Sequence, residues 1–266
     1  EYSTVITQSQ SIIKNYPESF KVWNILGASF AQIGILYEAL ESYQTAISLN
    51  PCYFDAYLNI GVIFKDQGKL NEAINIFKKA LSIKPDKAEG YVNIGIVLKI
   101  QGKLDKAIES YEKAISLKPD YALAYNNLGN VLRDKKRLDD AIISFKKAIS
   151  LKPDYVQAYV NMGNTLQDQI KLDLAIDTYR KAISLKPDYA EAYNSMGNAL
   201  KFQTKFSDAK TAFKKALSLK PNLVNALINI GDTFKDEGEI EKAITTYQKV
   251  LSFKPNFAEV HQNLSF

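Results

Sequence analysis

The sequence has few of the residues that carry most enzyme chemistry: one histidine, one cysteine and one tryptophan in 266 positions. A lone cysteine excludes an internal disulfide framework and fits a reducing, cytoplasmic compartment. No His/Cys ligand set, glycine-rich phosphate loop or nucleophile–base pairing is visible, so the sequence predicts no enzyme activity of its own, no cofactor and no metal. Apolar runs stay well short of the roughly 18 residues a membrane helix needs, so no membrane partner is expected. The first residues, Glu1-Tyr2-Ser3-Thr4, lack both an initiating methionine and a basic-then-apolar targeting pattern, and read as a fragment or a processed start.

Charge of one sign is scarce as well. The net charge is +5, but signs alternate along the chain and no stretch forms a basic arm, which argues against a nucleic-acid partner. At 46% apolar and 24% charged residues, the composition is that of a folded chain.

Proline and glycine are few, yet they are placed by rule. The prolines are Pro17, Pro51, Pro85, Pro119, Pro153, Pro187, Pro221 and Pro255, each 34 residues from the next. Gly27, Gly61, Gly95, Gly129, Gly163, Gly197 and Gly231 each follow a proline by ten residues, and Gly34, Gly68, Gly102 and Gly238 by seventeen. A period of this length, held from end to end, marks a repeat architecture. With Phe20 as position 1, seven copies run Phe20–Tyr53, Phe54–Lys87, Ala88–Tyr121, Ala122–Tyr155, Val156–Tyr189, Ala190–Leu223 and Val224–Phe257. Residues 1–19 are then the tail of a preceding copy and residues 258–266 the start of another, so the chain reads as one array.

Each copy holds two apolar faces with helical spacing. Positions 4, 7, 8 and 11 form one, as in Tyr91, Ile94, Gly95 and Leu98. Positions 17, 20, 21, 24, 27 and 28 form the other, with alanine at 20 throughout (Ala39 to Ala243) and Tyr or Phe at 24 (Tyr43 to Tyr247). Two amphipathic helices per copy follow. Glycine at position 8 sits inside the first, where it costs about 1 kcal/mol relative to alanine. The expected reason is close approach to the second helix, opposite the small alanines at 20 and 27. Glycine at position 15 suits a left-handed helix end. Asp105, Asp139, Asp173 and Ser207 at position 18 are expected caps, and Asp86-Lys87-Ala88-Glu89, Asp188-Tyr189-Ala190-Glu191 and Asn256-Phe257-Ala258-Glu259 expected capping boxes. Lysine at position 31, from Lys84 to Lys254, favours a helix C-terminus, and the following proline stops the helix.

The run Trp23-x-x-Leu26-Gly27-x-x-Phe30, followed by Ala39, Tyr43, Ala46 and Pro51, resembles the tetratricopeptide repeat (TPR) almost column for column. Val250 and Lys210 are departures from otherwise regular columns. The resemblance implies an all-α, right-handed superhelical TPR solenoid of antiparallel helix pairs, its first helices lining a concave groove.

Positions 2, 6, 9 and 13 form a stripe opposite the core face of the first helix. Position 6 supplies Asn59, Asn93, Asn127, Asn161, Asn229 and Asn263. Position 9 supplies Asn130, Asn164, Asn198 and Asp232, and position 13 supplies Asp66, Asp134, Asp168 and Asp236. Asparagine is a mediocre helix former, and its amide offers both donor and acceptor to a peptide backbone. Such a line could hold an extended chain with little demand on its side chains, flanked by Lys65, Arg133 and Lys235. The pattern is similar to the asparagine ladder of the TPR region of O-linked N-acetylglucosamine transferase. Inherited repeat consensus is the competing explanation of the same columns.

These readings imply a non-catalytic protein-interaction scaffold binding an extended peptide or partner segment in its groove. One alternative is the substrate-recruiting region of a larger glycosyltransferase; another is a homo-oligomer joined through exposed solenoid ends. Position 6 holds no cation, so a carboxylate clamp for chaperone tails is not expected. His261, in the aromatic column at position 4, reads as a packing or surface residue, and the lysine column at position 26 (Lys79 to Lys249) as a solvated outer face. Gly129→Leu is expected to overpack the helix contact and to lower stability by about 1–3 kcal/mol, read as a thermal melt; an unchanged melt contradicts the close approach.

Overall fold

The computed structural model describes residues 2–264. Glu1, Ser265, Phe266 and the side chain of Glu259 lie outside the described residues, and with them the capping role expected of Glu259 and the last two residues of the terminal stub. Among the described residues every regular element is an α-helix. The chain divides into two compact units, Glu1–Val131 and Leu132–Phe266.

The first unit holds α1 (Tyr2–Asn15), α2 (Phe20–Gln32), α3 (Leu36–Leu49), α4 (Phe54–Asp66), α5 (Leu70–Ile83), α6 (Ala88–Ile100), α7 (Leu104–Leu117) and the start of α8 (Ala122–Asp134). The second unit follows with α9 (Leu138–Leu151), α10 (Val156–Asp168), α11 (Leu172–Leu185), α12 (Ala190–Phe202), α13 (Phe206–Leu219), α14 (Val224–Asp236), α15 (Ile240–Phe253) and α16 (Ala258–Asn263). In the first unit α2 packs on α3, α4 on α5 and α6 on α7, while α3 also meets α4 and α5 meets α6. The second unit repeats this with α10 on α11, α12 on α13 and α14 on α15. First helices also touch directly, α2 with α4 and α4 with α6, and likewise α10 with α12 and α12 with α14.

The position-20 alanines are fully buried, and the position-24 rings (Tyr43, Phe77, Tyr111, Phe145, Tyr179, Phe213, Tyr247) are at most 2% exposed. These rings, rather than the alanines, are the main reason for glycine at position 8. A Cβ added at Gly61 would stand 2.3 Å from Phe77 Cε1, and one at Gly163 would stand 2.5 Å from Tyr179 Cε1. At Gly27 a position-20 residue also comes near, through the Ala39 carbonyl at 3.0 Å. The ring edge lies flat against the bare backbone of the first helix, so the expected close approach is present but its partner differs. Each ring removed from water contributes about 1.5–3 kcal/mol.

The caps also differ from expectation. The second helices are preceded by Lys69, Lys103, Arg137, Lys171, Lys205 and Glu239 at position 16, with no side-chain cap bond. The position-18 acids thus sit inside the first turn, where they meet the helix dipole but cannot cap. Nor do Asp86 and Asp188 cap, since Lys87 and Tyr189 occupy the N-cap sites. At the other end the residue before proline leaves the helix, as proline sterics require: Lys84 has φ −133° and ψ 86°. Where a ring stands three residues on, the position-31 lysine folds over it, Lys118 lying 4.7 Å from the Tyr121 centroid and Lys186 5.4 Å from that of Tyr189.

Between the two helices of a copy the turn is left-handed at position 15. Gly34, Gly68, Gly102 and Gly238 have φ between 71° and 82°, and Lys136, Ile170 and Thr204 take the same conformation with φ of 61°, 61° and 59°. The Lys171 amide closes the motif on the Leu166 carbonyl at 2.9 Å. For a β-branched residue this backbone is strained by roughly 1–2 kcal/mol, and Ile170 is 80% exposed, so packing returns little. Ile170→Gly is therefore expected to raise stability by about 1 kcal/mol, seen as a higher urea midpoint; a lower midpoint contradicts the strain.

Candidate protein-interaction surface

The stripe on the first helices is built of one turn-spaced row per helix. In the first unit it comprises Asp55, Asn59, Val62 and Asp66 on α4, Glu89, Asn93, Ile96 and Ile100 on α6, and Asn127 with Asn130 on α8. In the second unit it comprises Asn161, Asn164 and Asp168 on α10, Ser195, Asn198 and Phe202 on α12, Asn229, Asp232 and Asp236 on α14, and Asn263 on α16, with Asp134 closing α8. The residues share a face but not a role.

Several of the expected ligand-binding amides are engaged within the fold. Asn59 Nδ2 donates to Asn24 Oδ1 at 3.0 Å, and Asn229 Nδ2 donates to Asn194 Oδ1 at 3.0 Å. Both acceptors are at position 5 of the preceding copy, so these pairs tie one first helix to the next. Asn161 is 7% exposed and accepts from Gln157 Nε2 at 3.0 Å. At position 9, Asn164 accepts the phenol of Tyr179 at 2.7 Å, and Asp232 that of Tyr247 at 2.6 Å. Asp232 also receives Asn263 Nδ2 at 3.1 Å.

Others are less committed. Asn93 Nδ2 bonds to the Glu89 carbonyl of its own helix at 3.0 Å, a local bond. Where position 24 is Phe145 or Phe213 no phenol reaches position 9, and Asn130 and Asn198 have no side-chain hydrogen bond among the described residues. Nor does Asn127, whose preceding position 5 is Val92. All three are only half-buried. Beside Asn93, Asn127 and Asn130 lie apolar side chains of the same face, with Ile100 57% and Leu123 38% exposed.

Two acids at position 13, Asp168 and Asp236, are held by cations at position 12 of the preceding copy. Arg133 grips Asp168 with two prongs, Nε to Oδ2 at 2.6 Å and Nη2 to Oδ1 at 3.4 Å. Lys201 Nζ stands 3.2 Å from Asp236 and 3.8 Å from Asp232. Asp66 pairs with its neighbour Lys65 at 2.8 Å. Each such pair, partly in water, contributes about 0–1 kcal/mol.

Residues outside the stripe carry a third set of links between copies. Gln101 Nε2 donates to Asn71 at 2.9 Å, Gln169 to Asp139 at 2.8 Å and Gln203 to Asp173 at 2.7 Å. The position-18 side chains therefore serve the next copy's turn, and their spacing of 30 residues was the available sequence signal. His261 Nε2 meets the Pro255 carbonyl at 2.7 Å just as Trp23 Nε1 donates to that of Pro17 at 2.8 Å, so both rings anchor a loop. Cys52 is exposed. Among the described residues no cluster of three His, Cys, Asp or Glu could hold a metal ion, and no helix is long and apolar enough to cross a membrane.

Comparison with known proteins places this geometry in a family. The sequence matches the family described as TPR repeat over residues 27–68, 61–102, 97–132, 129–169, 171–203 and 231–265, and that described as tetratricopeptide repeat over 190–223. The chain belongs to the TPR family, whose repeats form protein-interaction scaffolds. Among solved structures, MamA is 32% identical with a TM-score of 0.54, the match covering 61% of this chain and 95% of that one. YrrB, a TPR protein with an unusual peptide-binding site, is 24% identical with a TM-score of 0.53 over 71% of this chain and 98% of its own. Yeast Tom70 is 22% identical with a TM-score of 0.72, covering 100% of this chain and 57% of its own, and shows likeness of fold alone. No curated protein matches the sequence.

The phenols behind the stripe set a pH limit. Burial pushes Tyr43 up to about 12, and it raises Tyr111, Tyr179 and Tyr247 well above the usual 10, with Asp232 adding to the rise at Tyr247. Each phenol holds its proton more tightly folded than unfolded. Above pH 10 the unfolded chain releases protons that the folded chain keeps, so stability is intact below that pH and declines toward pH 12. Urea midpoints are expected to fall steadily across this window, and a flat profile contradicts the phenols' burial.

Proposed function

We propose that the chain is a non-catalytic interaction scaffold that holds an extended peptide segment along its first-helix stripe, with Asn93, Asn127 and Asn130 of the first unit as the principal contacts. The observation that carries this is the division of labour among otherwise identical columns. Asn59, Asn229, Asn164 and Asn263 are bonded to other copies or to a buried tyrosine, whereas among the described residues Asn127 and Asn130 have no such partner and Asn93 bonds within its own helix. Half-buried amides that spend nothing on the fold still offer donor and acceptor, which suits a peptide backbone. Ile100 and Leu123 give that peptide an apolar shelf for one or two side chains, adding affinity that amides alone lack.

The acids of the stripe have a smaller part in this reading. Asp66, Asp168 and Asp236 are paired with Lys65, Arg133 and Lys201, so they tune charge rather than present free carboxylates. Asp134, Asn161, Asn198 and Asp232 are flanking contacts at most. That YrrB is described by a peptide-binding site supports a peptide as the ligand class for a TPR chain of this kind.

A peptide-array screen followed by anisotropy titration tests the proposal. Removing all three amides in N93A/N127A/N130A is expected to weaken the best peptides by about tenfold or more, from roughly 0.5–1.5 kcal/mol per hydrogen bond. N59A/N229A is expected to keep that binding and to lower the melting temperature instead. Wild-type affinity in the triple variant sinks the proposal.

A further inference from the structure

The second helices leave a different kind of surface. In the second unit α11 and α13 both pack on α12, and between them runs a furrow of about 610 Å³. Its floor is Tyr193, Met196 and Leu200 of α12, at successive spacings of three and four residues, and its banks carry Arg180 on α11 with Asp208 and Lys215 on α13. Tyr193 and Met196 stay half-buried, although their columns are apolar in every copy.

Two features say what fits there. The floor extends over seven residues of helix, about 10 Å at 1.5 Å per residue. A partner helix lying along it matches that length with apolar anchors at i, i+4 and i+7. Charge supplies the second feature. The unit Leu132–Phe266 has 21 Lys and Arg against 16 Asp and Glu, whereas Glu1–Val131 has 13 of each, so the whole net charge of +5 lies in the second unit. Arg180 and Lys215 lie on opposite banks, and Lys181 and Lys214 stand exposed beside them. Arg180 pairs with Asp177 at 3.2 Å, with both side chains about two-thirds exposed, a pair of little strength. In the first unit the same columns floor two furrows: that over Trp23, Leu26 and Phe30 has Glu38 and Glu41 on its banks, and that over Tyr91, Ile94 and Leu98 has Lys78, Lys103 and Lys106 with Glu109 but no arginine.

We propose that the α11–α13 furrow docks an amphipathic helix of a protein partner, with apolar anchors on Tyr193, Met196 and Leu200 and acidic side chains toward Arg180 and Lys215. The thioether of Met196 adapts to anchors of different shape. An apolar floor is poorly suited to a nucleic-acid backbone. This surface lies between two second helices over the packing face of α12, and shares no residue with the amides of the first-helix stripe.

The probe is a fluorescein-labelled 18-residue helical peptide with leucines at i, i+4, i+7 and i+11 and glutamates elsewhere on its flanks, compared with the same peptide carrying lysines. Anisotropy titrations at low salt are expected to show the acidic peptide bound at least tenfold tighter than the basic one. R180E/K215E, both exposed positions checked for folding by circular dichroism, is expected to reverse that preference, and M196K to abolish binding of either peptide. N93A/N127A/N130A is expected to leave it unchanged, which separates this site from the stripe. Equal binding of the two peptides, or insensitivity to R180E/K215E, overturns the proposal. So does tighter retention of a 20-nucleotide oligothymidine than of the acidic peptide, which assigns the furrow to nucleic acid. Concentration-dependent sedimentation abolished by R180E/K215E likewise overturns it, by assigning the furrow to a second copy of the chain.

Discussion

The contact of a flat ring on a bare helix backbone governs the rest of this structure. Glycine at position 8 lets the position-24 ring of the same copy lie against the first helix at a distance no Cβ allows. The ring is thereby buried, and the two helices of each pair are locked in one rotation about their axes. That rotation turns positions 2, 6, 9 and 13 away from the pair. It also carries the phenol of Tyr179 or Tyr247 through to position 9 of the outward face. The core residue and the surface amide are thus one unit, and a Phe or a Tyr at position 24 decides whether the amide above it is bonded or free.

Between copies, within each unit, polar side chains carry the registration that apolar packing alone leaves loose. Position 5 accepts from position 6 of the next copy, position 12 pairs with position 13, and position 18 accepts from a glutamine at position 14. Each link is individually worth on the order of 1 kcal/mol. A repeat fold sums such nearest-neighbour terms, so a modest link repeated along the array fixes its geometry. The proposed interaction surface consists of what these links leave over, which in the first unit is Asn93, Asn127 and Asn130 beside Ile100 and Leu123.

Much of the fold is legible in the sequence because its determinants are local. A 3.6-residue period, a proline at position 32 and a glycine at position 15 each act within one turn, and all α-helices of the described residues follow from them. What sequence reasoning missed lies in contacts across copies. Asp105, Asp139 and Asp173 look like caps because the nearest helix start is close by, yet Asp139 and Asp173 are bonded to glutamines 30 residues on. Close approach suggests a small residue opposite the position-8 glycines. A ring edge fills the same space, and spacing alone does not distinguish the two. The roles of the stripe asparagines were written in the sequence, but in pairs: Asn24 with Asn59 and Asn194 with Asn229, each 35 residues apart, mark the amides that are already bonded.

The central claim is that the asparagines of the stripe are split between holding the fold and standing free. Side-chain amide exchange, read by nitrogen–proton NMR on the free protein, tests this most directly. The account predicts slowed exchange of the Nδ2 protons of Asn59 and Asn229, which donate to neighbouring asparagines, and near-solvent exchange at Asn127 and Asn130. Uniform exchange across the four, or protection at Asn127 and Asn130 equal to that at Asn59, would contradict it.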